Sequence, residues 1–206
     1  MSICLIRHGE TALNVARVFQ PAATPLNERG IAQADAVARR LATMGIGAIL
    51  SSDMPRAQRT AEAIAAATGL PIEFSTLLHE RNFGDWRGHS HAALGLDPLA
   101  TAEAPPGGES VAEFECRVAQ AFALIVQRRT ALRRGQLAVV SHGLVLRAIL
   151  QAHVERADGE AAPLQMGNTS VSIIGATAPH RVSLMNCTVH LDTDALRDNP
   201  HALSGA

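Results

Sequence analysis

The stretch Ile3-Cys4-Leu5-Ile6-Arg7-His8-Gly9-Glu10-Thr11 decides how the rest of this chain is read. Its four leading apolar residues, a length that suits a buried strand, run straight into Arg7 and His8, then a glycine, then residues compatible with a helix. The unit reads as strand, turn, helix. In an open α/β sheet such a turn stands at the carboxyl end of a parallel strand, where ligands bind, and the N–H groups that open the following helix favour an anion. Arginine and histidine placed there suggest phosphate.

The same design recurs further along. Leu137-Ala138-Val139-Val140-Ser141-His142-Gly143 is again an apolar strand running into histidine and glycine, with a helix from Leu144 to about His153. Only a parallel sheet with adjacent strands can bring two such distant strand ends together. Ala48 to Ser52 is a further short buried strand, and the helix after it, with Pro55 in its first turn, carries Arg56 to the same end. Pro71 to Phe74 makes another strand. Helical spacing of apolar residues predicts a helix over Ile31 to Met44, on Ile31, Ala34, Val37, Ala38 and Leu41, closed by Gly45. It predicts another after Ser110, on Phe114, Val118, Ala121, Phe122 and Ile125. Ser110 and Glu113 form a capping box at the start of that helix. Alternating β-branched residues from Asn168 to Ile174 and from Arg181 to Val189 read as two closing strands around a Pro179-His180 turn. The fold class is therefore α/β, three layers with a mainly parallel central sheet.

These segments together resemble the histidine phosphatase superfamily, whose fold is that of phosphoglycerate mutase. The opening R-H-G-E-T, the S-S-D-x-x-R-A-x-x-T-A around Arg56, the L-x-E-x-x-F-G-x-W-x-G segment from Leu78 to Gly88 and the V-V-S-H-G around His142 stand in the family's order and cover essentially the whole chain. The resemblance implies that His8 is the histidine that becomes phosphorylated. It also implies that Arg7, Arg56 and His142 hold the phosphoryl oxygens and that Glu80 donates the proton. Asn14, Gln20, Thr24 and Gly143 are the expected substrate contacts. The family often carries an aspartate shortly before the proline of its P-L-x-x-x-G segment. Here Ala23 or Thr24 stands in its place, which puts a substrate contact of that loop in question.

Physically the set is self-consistent. Phosphoryl transfer needs an in-line nucleophile, positive donors around three equatorial oxygens and a proton for the departing alkoxide. Arginines can do the charge work, so no metal and no cofactor is expected. Like-charge repulsion from the two arginines is expected to keep His8 unprotonated near neutral pH. Should Glu80 be only a loop carboxylate, Glu10 and Glu109 are the next proton-donor candidates. His89 and His91 form an H-x-H pair without a nearby third ligand, a weak metal signal.

Composition sets the outer bounds. A chain of 206 residues, 47% of them hydrophobic, fits a single domain over 1–206 with a small cap insertion over about 81–109 and a polar tail over about 192–206. A net charge of -1 gives no basic field for nucleic acid or an acidic membrane, and no apolar run reaches a membrane span. The expected location is cytoplasmic, as a monomer or homodimer acting on a small-molecule phosphate ester. The three cysteines, far apart, read as reduced core residues. Not one basic residue is lysine, which excludes a P-loop lysine and a Schiff base. Arg128, Arg129, Arg133 and Arg134 read as a solvated helix end rather than a nucleic-acid patch.

Only about twenty residues separate Gly88 from Ser110, less than the larger lid that the family's glycolytic mutases use to keep water from the phosphoenzyme. The expected activity is thus metal-independent phosphomonoester hydrolysis through a phosphohistidine. A phosphoglycerate mutase-type isomerase, or a non-catalytic phosphate-binding or interaction member of the fold, is the alternative.

Overall fold

β1 (Ser2–Arg7) alternates its side chains between two cores, which is what a strand buried on both faces must do. Ile3 and Leu5 join one cluster and Cys4 and Ile6 the other, and all four are fully buried. Each large aliphatic side chain so buried contributes roughly 1.5–3 kcal/mol. The computed structural model describes residues 2–95, 104–157, 165–192 and 196–197.

Along the chain follow α1 (Ala12–Val15), α2 (Glu28–Ala42), β2 (Ile46–Ser51), α3 (Pro55–Thr68), β3 (Ile72–Phe74), α4 (His91–Leu94), α5 (Val111–Ala131), β4 (Gln136–Ser141), α6 (Gly143–Ala152), β5 (Val171–Gly175) and β6 (Val182–Cys187). They build one sheet in the order β3-β2-β4-β1-β5-β6. The first four strands are mutually parallel, and β5 and β6 run antiparallel at one edge. Helices α2 and α3 cover one face through Val37, Leu41, Ala57 and Ile64, and α5 and α6 cover the other through Val118, Ile125, Val145 and Ile149. This is the three-layer, mainly parallel α/β architecture expected from the sequence. Among the described residues no helix is long and apolar enough to cross a membrane.

Several local expectations change. Helix α2 begins earlier than Ile31, because the Asn27 side chain caps it by accepting from Gly30 N, and it ends at Ala42 with Thr43 as its cap. Ile31 itself is 37% exposed, at the edge of the stripe that faces the sheet. Of the cysteines only Cys4 is a core residue; Cys116 falls on the solvent side of α5, and Cys187 is half-buried at the end of β6. Arg129 is not part of a solvated helix end. It stands one turn after Ile125, and that buried stripe carries it inward, where it donates to the Leu132 carbonyl at 3.2 Å. Of the expected cap, residues 96–103 lie outside the described residues, as do 193–195 and 198–206 of the tail. Leu196 and Arg197 lie against α2, accepting from Gln33 and Arg29.

Candidate active site

The two strand-to-histidine turns meet because β1 and β4 are neighbours, with Arg7 in register with Ser141. His8 N donates to the Ser141 carbonyl at 3.0 Å, and the His8 and His142 rings lie 5.1 Å apart, tilted. His8 Nδ1 sits 2.7 Å from the Gly9 carbonyl oxygen. A carbonyl only accepts, so Nδ1 carries the hydrogen and Nε2 keeps its lone pair. Burial pushes the His8 pKa well below 6.5, and Arg56 and Arg7 push it further. Desolvation, more than the arginines expected to do this, thus keeps the ring neutral.

His8, although only 2% exposed, lines an open cleft whose free space, together with the solvent it opens into, is about 610 Å³. Arg7, His8, Asn14, Gln20, Arg56 and Glu80 line it. Arg56 comes from the second residue of α3 and is 2% exposed; burial first, then Arg7 and Arg87, push its pKa down to about 10, against the opposing pull of Glu80. Its Nε is buried with no hydrogen-bond partner among the described residues, and its other nitrogens reach only Pro21, Ala22 and Met54 at 3.3–3.4 Å. His142 is fully buried, with Nε2 2.9 Å from the Ser52 hydroxyl and Nδ1 without a partner among the described residues. Buried polar atoms left unmade in this way are costly unless something else completes them, and an anion among these donors would do so.

Glu80 lines the same cleft. Its carboxylate accepts from Arg81 N at 3.0 Å and from Leu144 N, in the first turn of α6, at 3.2 Å. Burial nevertheless raises its pKa above 4.5, while those two N–H groups, Arg56 and Arg7 pull the other way. A neutral imidazole, two guanidiniums and a carboxyl group biased toward protonation therefore share one cleft. That set can take a phosphoryl group and return a proton to its leaving oxygen.

The other expected residues are distributed unevenly. Asn14 and Gln20 spend their carbonyl oxygens on Thr11, so their amide nitrogens remain as donors. Thr24 is buried and donates to the Pro21 carbonyl, away from the cleft wall. Gly143 opens α6, next to the Leu144 N–H that holds Glu80. Glu10 accepts from Asn27 at 2.8 Å and Glu109 from Arg117 at 2.7 Å, and neither lines the cleft. Arg59 is exposed. His91 packs its ring against Phe19, 4.4 Å between centroids, and among the described residues no three His, Cys, Asp or Glu side chains stand together as metal ligands would.

Sequence reasoning missed the brace behind the nucleophile. Asn168 Nδ2 and Thr169 N both donate to the His8 carbonyl, at 3.1 and 3.2 Å, Arg7 N donates to Ser170 O at 3.3 Å, and the Arg7 guanidinium bonds to Met166 O. Thr169 adopts φ +51°, a conformation uncommon outside glycine and found where structure is held for function. Asn168 stood in plain view at the start of a segment read as structural. Ser52, which holds His142, was equally visible in the S-S-D pattern. The apolar wall of the cleft, from Leu13, Val18, Phe19, Phe83 and Leu144, had no local signal.

Comparison with family models matches residues 3–188 to the Histidine phosphatase superfamily (branch 1). A Probable phosphoglycerate mutase GpmB of Salmonella paratyphi B is 32% identical over 189 residues, covering 84% of each chain. Among solved structures, the mycobacterial glucosyl-3-phosphoglycerate phosphatase Rv2419c, solved with VO3, is 30% identical with a TM-score of 0.71, covering 84% of this chain and 90% of that one. A putative alpha-ribazole-5'-P phosphatase from Escherichia coli is 27% identical with a TM-score of 0.77, covering 91% and 97%.

Proposed function

We propose, for a chain that belongs to the histidine phosphatase superfamily (branch 1), that it is a phosphomonoesterase that works through a phosphohistidine on His8 and needs no metal ion. The observation that carries this reading is the state of His8. Its Nδ1 is tied to the Gly9 carbonyl, its pKa is depressed, and it faces a cleft that also holds Arg7, Arg56 and Glu80.

In the proposed reaction the Nε2 lone pair attacks phosphorus and the P–O bond to the alcohol breaks. Arg7, Arg56 and the Nδ1 of His142 take the equatorial oxygens, Asn14 adds a neutral hydrogen bond, and protonated Glu80 gives its proton to the leaving oxygen. The resulting carboxylate then accepts a proton from water as water attacks the phosphohistidine, which returns neutral His8 and inorganic phosphate. The substrate is a small phosphorylated metabolite, in keeping with solved neighbours named as phosphatases of such esters.

The curated relatives named as probable phosphoglycerate mutases favour a second reading, phosphoryl transfer back to a bound phosphoglycerate. Phosphate release against isomer formation from 3-phosphoglycerate separates the two. The intermediate is tested directly. The protein in excess EDTA, mixed briefly with phosphorus-labelled substrate, is expected to carry acid-labile, base-stable label that His8→Ala lacks. Label retained by that variant, or lost to EDTA and restored by a divalent ion, would overturn the assignment.

A further inference from the structure

Beside the cleft lies a second depression of about 750 Å³, and Glu80 lines both. Most charged and polar side chains of this second depression are already engaged. Arg117 bonds to Glu109 at 2.7 and 2.8 Å and to the carbonyls of Leu77 and His79; His79 bonds to Asp53; Asn82 donates to Gly107 and accepts from Gly84. Arg87 is different. Its side chain forms no hydrogen bond or ion pair among the described residues, and its Nε is buried from solvent.

A half-buried guanidinium without a partner is unfavourable, and more so beside others. Arg7 and Arg56 line the neighbouring cleft, and Arg87 is near enough to help depress the Arg56 pKa. Two adjoining depressions that share Glu80, with Arg7 and Arg56 lining one and Arg87 the other, describe a site completed by an anion larger than a single phosphoryl group. Because Glu80 must face the leaving oxygen to protonate it, the second depression lies where the alcohol half of a substrate would extend.

We propose that Arg87 is a substrate-binding residue of a second anion subsite beyond Glu80, and that the preferred ligands carry a further acidic group, carboxylate or phosphoryl, besides the phosphate held by Arg7 and Arg56. The proposal rests on the phosphomonoesterase reading for the orientation of the ester. Arginine suits the role because its planar fork donates two parallel hydrogen bonds to the oxygens of either group.

The test uses binding rather than turnover, with phosphonates that cannot be hydrolysed. Calorimetry on the full chain compares propylphosphonate, 3-phosphonopropionate and propane-1,3-bisphosphonate. One charge-assisted contact predicts at least one of the two diacids binding about tenfold or more tighter than propylphosphonate. The diacid that shows the gain identifies the second group. In Arg87→Met that preference should vanish while propylphosphonate binding stays unchanged, and Arg87→Lys should recover part of it. A wild-type protein with no preference for either diacid overturns the proposal, as does no binding of any of the three. A preference that survives Arg87→Met overturns it too. Equal weakening of all three ligands in Arg87→Met would place Arg87 on the cleaved phosphate instead. Hydrolysis of p-nitrophenyl phosphate by the same preparations reports on the phosphatase reading separately: a preference without hydrolysis would sink that reading and leave the subsite standing.

Discussion

His8 and Glu80 face opposite protonation demands in the proposed reaction, one neutral to attack and the other protonated to donate. Their surroundings lean the required way, since burial lowers the imidazole below 6.5 and raises the carboxyl above 4.5. Activity should therefore rise with pH as His8 loses its proton and fall as Glu80 loses its own, giving a bell-shaped kcat/KM profile. In Glu80→Gln the descending limb should disappear. That variant should also lose far more activity on an alkyl phosphate than in forming the phosphoenzyme from p-nitrophenyl phosphate, because a nitrophenolate departs without protonation. A burst of nitrophenol followed by a stall would report the lost activation of water. An unchanged descending limb with equal, modest losses on both substrates would move the proton donor elsewhere. Arg56 offers a sharper contrast with its neighbour. Its buried guanidinium lines the cleft whereas Arg59 is exposed, so Arg56→Ala should cost about a hundredfold or more in rate, as loss of one transition-state donor does, and Arg59→Ala almost nothing. The reverse result would mean that the wrong arginine holds the phosphate.

At the scale of elements, the turn after β1 is held from two sides. The segment Asn168 to Ser170, leading into β5, clamps the backbone of Arg7 and His8. From the other side the first turn of α2 presses its backbone against the turn itself. A Cβ on Gly30 would overlap the Glu10 carbonyl oxygen and stand 2.7 Å from Glu10 N, and one on Gly9 would meet the Gly30 carbonyl. Neither neighbour is a flexible side chain, so the contact cannot relax cheaply. Gly30→Ala is expected to destabilise the fold by about 1–3 kcal/mol, as overpacking does, and to lower kcat as well by displacing His8. Urea unfolding and steady-state kinetics on the same variant check this; a stable variant with full activity would show that the helix and the turn are not rigidly coupled.

For the whole molecule, the buried histidines tie folding to pH. His8 and His142 have pKa values well below 6.5, and burial with Arg40 takes His190 to about 4. The unfolded chain takes up these protons near 6.5 and the folded chain does not, so between 6.5 and the folded values the unfolded state binds more protons and stability rises with pH. Glu80, whose pKa is raised, works in the opposite sense, but it is one group against four, since burial lowers His153 as well. The stabilisation is complete above pH 6.5 and is lost on acidification toward pH 4. The urea midpoint should accordingly fall between pH 7.5 and pH 5, and His190→Gln should reduce the fall. A midpoint that does not move would mean that these rings gain compensating acceptors when protonated.

The sequence by itself determined the frame of this protein. Apolar runs ending in Arg7-His8-Gly9 and His142-Gly143 specify buried strands with polar tips, and a strand buried on both faces requires helices above and below. Strand-then-helix spacing brought Arg56 to the same end of the sheet, whereas its role on the phosphate and that of Glu80 as proton donor came from the resemblance of their segments to the superfamily. Other features were decided only by the tertiary structure. Periodicity along one helix cannot tell whether Arg129 turns inward, nor which strand edge will lie behind His8, nor that Phe19, Phe83 and Leu144 make one wall. Those facts depend on which surfaces the strand order β3-β2-β4-β1-β5-β6 brings together, and burial, which sets the protonation of His8 and leaves Arg87 Nε without a partner among the described residues, belongs to the packed chain and not to any stretch of it.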